Sequence, residues 1–333
     1  GPFYNVMEGS PPIIDEADYV ILESTYGNRR HKTLEETREE FENAIREALK
    51  SGGKVLIPSF VVDRAQRLIY ELSLLKNKMK FDFPIFFDSP MGSKATEIYQ
   101  KYMGLMAGEI QKQIFQGHDP FVLPGMSYVN SPDESRAINQ IEKAIVIAGS
   151  GMCTGGRIIH HLKHGLWKPN TDLIFVGYQA RGTLGRLLVD GVKKVKLFGE
   201  EISVKAKINT INGFSAHADQ DDLLKWSDYF QSNPTFIITH GEEEIAETFG
   251  RVLEKRGRAV IVPRLGDSID LVKKEKKVCV SEAPAVESPV VQEISSKVKS
   301  LQEKKIYTGT DGDHLLRSAL LLIEEAEKAV MEG

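Results

Sequence analysis

An α/β protein, with a mostly parallel sheet covered by helices on both faces, is what this sequence predicts. Two observations carry the prediction. Short apolar strands alternate with amphipathic helical stretches, and several strands are apolar throughout, as strands buried on both faces are. The 333 residues are 41% hydrophobic and 27% charged, enough for two domains or one large domain with an appendage.

Taken in order, residues 18–23 (Asp-Tyr-Val-Ile-Leu-Glu) read as a buried strand ending on an acid. Residues 33–51 have helical periodicity, with Leu34, Phe41, Ile45, Ala48 and Leu49 on one face. Gly52-Gly53 stops that helix and Lys54–Pro58 is the next strand. Asp63 is expected to cap a helix over 64–75. The alternation continues with Pro84–Phe87 before a 93–103 helix, Ala144–Ala148 before a 155–166 helix, and Asp172–Val176 before a 182–191 helix. From 192 to 213 the texture changes. Lys194–Leu197, Ile202–Ala206 and Ile208–Ile211 alternate like half-exposed strands in hairpins. A helix at 219–230, a strand at Thr235–Thr239, a helix at 243–256 and a strand at Ala259–Val262 follow. Residues 274–292 read as a Lys/Glu then Ser/Pro/Val-rich linker, leading to amphipathic helices at about 290–304 and 313–331.

The net charge of −4 argues against a phosphate-binding surface over the whole molecule, though not against a local basic groove. Cys153 and Cys279 are far apart in unlike contexts, so neither a disulfide framework nor a cysteine zinc site is expected. No apolar run approaches the roughly 18–20 residues of a membrane span, and no signal-peptide pattern is present. The expectation is therefore a cytoplasmic protein with no membrane partner. The chain opens on Gly1-Pro2 without an initiator Met, and the expectation is that it begins mid-protein.

Polar groups gather at four strand ends, where open α/β sheets place their sites. The first is Glu23-Ser-Thr-Tyr-Gly27, followed by His31. Glu23 either pairs with a histidine or caps the turn at Ser24 or Thr25. The second is the Gly-rich run 149–156, which matches neither a Walker loop nor a dinucleotide fingerprint. It is either a tight connection or an anion cradle at a helix start. The histidines after it, His160, His161 and His164, lack the Glu of a H-E-x-x-H zinc site, so phosphate contact or surface exposure is expected of them instead. The third is Phe214-Ser-Ala-His217-Ala-Asp219 and the fourth Thr239-His240-Gly241-Glu242. Two histidines and an acid at neighbouring strand ends point to chemistry more than any one of them does.

In this order the motifs resemble the β-CASP branch of the metallo-β-lactamase-fold nucleases, which includes bacterial ribonuclease J and the messenger 3′-end cleavage endonuclease. Glu-Ser-Thr-Tyr-Gly at 23–27, Phe-Ser-Ala-His at 214–217 and His-Gly-Glu at 240–242 resemble the family's three β-CASP motifs. Leu56–Phe60 before Arg64-Ala-Gln66, Asp88–Met91, Ser150–Met152 and Gly177–Gly185 agree with it. Asp63 and Arg67 stand where relatives often have Gly and Glu. The resemblance covers about residues 13–270 and implies a β-CASP domain at 28–212, inserted in a partial metallo-β-lactamase αββα sandwich of which residues 1–27 and 213–273 are present. A linker at 274–292 and a helical extension at 293–333 complete the expected organisation.

The resemblance implies an RNA-processing nuclease with two zinc ions. His240 resembles the zinc ligand of the third motif. His217 resembles the residue that protonates the leaving oxygen, and Glu23 would orient it. Ser150, Gly151, Gly155, Gly156, Arg157 and Arg181 are candidates for the RNA backbone. The family's H-x-H-x-D-H zinc motif is not found, and residues 1–22 hold no histidine, so the zinc pair is expected to be absent or incomplete in this chain. Two rival readings stand beside the nuclease: a non-catalytic RNA-binding or assembly subunit, and a hydrolase of other phosphodiesters such as DNA. A homodimer is an open option.

Overall fold

A computed structural model describes residues 12–79, 82–106, 108–272 and 275–277. Strand β1 (Tyr19–Glu23) leads to helix α1 (Leu34–Ser51), which starts at a capping box formed by Thr33 and Glu36 and stops at Gly52, where φ is +68°. Then follow β2 (Lys54–Pro58), α2 (Arg64–Met79), β3 (Ile85–Asp88), α3 (Pro90–Lys101), α4 (Gly108–Phe115), β4 (Met126–Val129) and α5 (Pro132–Ile138). The chain continues through β5 (Ala144–Ala148), α6 (Arg157–Gly165), β6 (Asp172–Phe175), α7 (Leu184–Val189), β7 (Lys194–Leu197), β8 (Glu200–Ser203) and β9 (Lys207–Thr210). The remaining elements are α8 (Gln220–Ser227), β10 (Thr235–Thr239), α9 (Glu243–Lys255), β11 (Ala259–Ile261), β12 (Ser268–Asp270) and β13 (Glu275–Lys277).

Six strands form one sheet in the order β4-β3-β5-β2-β6-β9, each pair parallel. Alternate residues of its strands feed two separate cores, because successive side chains point to opposite faces. Val55, Ile57, Ile85, Phe87, Ile145 and Ile147 pack with α1, α2 and α4 through Phe41, Ile45, Leu68, Leu72 and Ile110. Leu56, Val146, Ala148, Leu173 and Phe175 pack with α5, α6 and α7 through Ile138, Ile158, Leu162 and Leu188. Helices thus cover both faces of a parallel sheet, the predicted fold class. Strands β1, β10 and β11 form a second sheet, with β1 parallel to β10. Of the described residues, those up to Val260 make one compact unit and those from Ile261 belong to a second, in which β12 pairs antiparallel with β13.

Several expectations change. Strand β1 is not wholly buried: Val20 and Leu22 face inward while Ile21 is 73% exposed. Asp63 does not cap α2 with its side chain. Its carbonyl accepts from Arg67 N at 2.9 Å, while buried Oδ1 has no hydrogen-bond partner among the described residues. Its φ of +64° is one that glycine adopts without a Cβ clash. Of the three strands read as hairpins, only β7 and β8 pair that way; β9 joins the edge of the large sheet, parallel to β6. Helix α4, strand β4 and helix α5 are additional to the expected elements. The start of the expected linker contributes β13, and the two C-terminal helices lie outside the described residues.

Candidate catalytic site

The parallel register of β1 on β10 places Glu23 opposite Thr239, so both strands end at one level. The next residue of β10's run, His240, has φ +48°, and its carbonyl accepts from Ser24 N at 3.2 Å. Gly241 then passes so close that an added Cβ would lie 2.3 Å from Ser24 Oγ. His217 arrives on the turn before α8, its N–H bonded to Ser215 Oγ at 3.1 Å. Asp219 caps α8 through Asp222 N and also accepts from His31 N at 2.8 Å, tying this turn to the segment after β1.

These contacts bring Glu23, His217 and His240 together, with one donor atom from each within 4.8 Å of the others. Glu23 Oε2 faces His217 Nδ1 at 2.5 Å. The His217 and His240 rings stack with centroids 5.3 Å apart. Thr25, expected only as a turn partner of Glu23, sits at the hub. Its hydroxyl donates to Glu23 Oε2 at 2.9 Å and lies 3.0 Å from His240 Nδ1. Glu23 therefore bonds a histidine and a turn residue at once, and the two alternatives for it are both realised. Burial acts to raise the Glu23 carboxyl, but the bonds from His217 and Thr25 and the charge of His217 outweigh it and hold the carboxyl below its ordinary value. The ionised acid can hold an imidazole in one orientation and favour its charged form.

Tyr26 edges onto His31 with centroids 4.5 Å apart, and burial lowers the His31 imidazole below its ordinary range. Tyr178 donates to Glu242 and lies 6.4 Å from the Tyr26 ring, and its neighbour Gln179 donates to Gly151 O at 3.1 Å. Through these residues the Gly-rich run adjoins the site. Ser150 Oγ accepts from Thr154 N at 2.9 Å. A Cβ on Gly151 would meet Phe60 at 2.9 Å and one on Gly156 would meet Gly149 O at 2.4 Å, while Gly155 has open space.

Two expected backbone contacts have other surroundings. Arg157 pairs with Asp88 at 2.8 Å and donates to the carbonyls of Ser131 and Asn130, so its guanidinium holds the fold together beside the loop. Arg181 is exposed, but the recess it lines carries Glu242, Glu243, Glu244 and Glu247, which repel a phosphate. His161 is not at the surface. It is buried, with Nε2 2.7 Å from Asp88 and Nδ1 3.3 Å from Asn139. His160 and His164 are exposed as expected. Burial pushes the Cys153 thiol up to about 12 and leaves it inert as a ligand at neutral pH.

A structural zinc takes about four ligands and a catalytic zinc at least three from protein. Glu23 Oε2 and His217 Nδ1 engage each other, so the cluster fits one imidazole ligand, His240, with a carboxylate–histidine pair beside it, rather than a whole metal cage. Among the described residues no helix is long and apolar enough to cross a membrane.

Residues 65–188 match the β-CASP domain model, and residues 201–263 match the model of a Zn-dependent metallo-hydrolase RNA specificity domain. The chain is 40% identical over 260 residues to ribonuclease TTHA0252 of Thermus thermophilus, spanning 78% of this chain and 59% of that protein. It is 35% identical over 263 residues to the transcription termination factor FttA of Thermococcus kodakarensis, 76% of this chain and 40% of that one. An RNase J-like protein of Methanocaldococcus jannaschii is 34% identical over 249 residues, 73% of this chain and 56% of that one. The chain thus spans between two fifths and three fifths of the length of these relatives.

Proposed function

The chain belongs to the β-CASP family of the metallo-β-lactamase fold, and from that premise we propose that it works in the hydrolysis of RNA phosphodiester bonds. One observation carries the reading: Glu23, Thr25, His217 and His240 converge at the ends of β1 and β10 and the turn before α8. With Nδ1 held by Glu23, His217 presents Nε2 as the atom that gives a proton to the departing oxygen. Glu23 is a positioning residue that keeps the imidazole in register and stabilises its charged form. Thr25 holds Glu23 in turn. His240 serves as a zinc ligand, and zinc, when bound, supplies Lewis-acid stabilisation of phosphoryl oxygens and a readily ionised water. The Gly-rich run at 149–156, with Ser150, Gly155 and Gly156, is the part of the expected backbone contact that the surroundings favour. Residues 28–212 make up the β-CASP unit in this reading, supported by the large parallel sheet, all of whose strands fall between Lys54 and Thr210. The segments 1–27 and 213–273 belong to the metallo-β-lactamase-fold part.

The test is cleavage of labelled single-stranded RNA by the protein at saturating zinc, against single-stranded DNA of the same sequence. RNA cleavage that His217→Ala abolishes supports the reading, and preferential DNA cleavage overturns it. A second reading, RNA binding without cleavage, is favoured by the donor count, since two of the three clustered groups engage each other. RNA bound but left intact at saturating zinc selects it.

A further inference from the structure

Hairpin β7–β8 turns through Phe198 and Gly199, whose φ values are +50° and +83°. Two left-handed residues make the tight turn that matches the twist of paired strands, and Asn, Asp or Gly ordinarily fills the first position. A phenylalanine there is strained by its Cβ. Burial does not compensate the strain, because Phe198 is 56% exposed. Its ring lies instead against His160 of α6, with centroids 4.7 Å apart and planes 25° from parallel. Lys163 Nζ is 5.9 Å from the ring centre.

The stacked pair forms one wall of an open recess of about 1020 Å³. Gly155 and Gly156 of the Gly-rich run, Leu187 of α7, and Lys194 and Lys196 of β7 also line it. Lys194 is paired with Glu201 and Lys163 with Glu200, both exposed residues of β8. Lys196 is exposed and makes no ion pair among the described residues. A flat aromatic surface, an apolar side wall and a cationic rim therefore meet beside a run of glycines. Stacking on an aromatic face with cations near the backbone is how unpaired nucleotides are held.

We propose that this recess is a stacking site for a base of single-stranded RNA, separate from the Glu23–His217–His240 cluster. The proposal rests on the reading of RNA as substrate. Phe198 supplies the platform, His160 backs it, and Lys196 faces the adjoining phosphate. Turn chemistry alone selects against a phenylalanine at 198, and a ligand that stacks on the ring accounts for its presence.

Phe198→Asn is the decisive variant, because asparagine suits the turn and the hairpin should fold at least as well. Phe198→Trp keeps a platform and adds an indole signal. Affinities of the chain for a short labelled RNA and for the same RNA with abasic residues are read by fluorescence anisotropy. Loss of one stacked base should weaken binding on the order of tenfold to a hundredfold. Phe198→Asn should show that loss on base-bearing RNA only, while Phe198→Trp keeps parental affinity and its added fluorescence is quenched by base-bearing RNA. Parental affinity of Phe198→Asn, or an equal loss on abasic RNA, overturns the stacking site and leaves the RNA reading intact. Single-stranded DNA bound as tightly, with the same dependence on Phe198, overturns RNA as the occupant. If the parent chain binds no RNA, the reading of the substrate falls and this site with it.

Discussion

Replacing Glu23 by glutamine keeps the size of the side chain and removes its charge, which makes it a direct probe of the pairing with His217. The contact is short, 2.5 Å, and the carboxylate is ionised and mostly shielded, with 21% of its side chain exposed. A hydrogen bond to a charged group contributes about 1.5–3 kcal/mol. At about 1.4 kcal/mol per decade that is roughly a 10- to 150-fold fall in the rate of the chemical step. His217 has 42% of its side chain exposed, so solvent screening places the expected loss near the lower end, about tenfold. His217→Ala removes the proton donor itself and should cost about 10²- to 10⁴-fold. Glutamine at 23 has no imidazole to orient once His217 is gone, so the double variant should match His217→Ala alone. The assay is single-turnover RNA cleavage by the protein at saturating zinc, with metal content measured in every variant. If the two losses multiply, the residues act independently and the unit does not exist. Parental cleavage by His217→Ala would remove this histidine from the chemistry altogether.

Three further outcomes are expected. The chain should hold no tightly bound zinc pair, and His240→Ala should lower whatever zinc it retains; two tightly held ions per chain by elemental analysis, lost on His240→Ala, would contradict the donor count. Lys54 is buried on β2 with its ammonium donating to Ile138 O at 2.8 Å, and burial lowers it to about 8 from its ordinary 10.5. Below pH 8 it is protonated folded and unfolded and the burial cost is fully present; between pH 8 and 10.5 the folded protein alone gives up the proton, so stability should rise by up to about 3 kcal/mol. Urea unfolding of Lys54→Met should lack that rise, and an unchanged pH dependence would count against it. Asp88→Asn removes the charge that faces Arg157 and buried His161, and should destabilise by about 3–5 kcal/mol. A change within roughly 0.5 kcal/mol would show that these groups do not depend on one another.

The site was legible in the sequence to the extent that its residues stand at element ends. Glu23 closes the apolar run of β1, His240 follows that of β10, and His217 stands on the turn before α8. Thr25 carried no such signal, since a threonine in a turn has many uses and only the meeting of two strands makes its hydroxyl a hub. Arg157 and His161 looked like phosphate or surface groups because nothing local shows that Asp88, far earlier in the chain, ends beside them. Helix α5 had a readable start in Ser131 and Glu134, which form a capping box with Pro132 at the first turn.

What the sequence determined by itself are the properties set by near neighbours: the apolar runs that become β2, β5 and β6, the periodic face of α1, and the capping residues Thr33 and Asp219. Their energies arise within a few residues and leave a periodic trace. Tertiary structure alone decided that β9 leaves the hairpins for the edge of the large sheet, and that β1 meets β10 in the register that sets Glu23 against Thr239. Strand pairing depends on backbone groups that every residue carries. Its partner is therefore chosen by the packing of both sheet faces, which no local window contains.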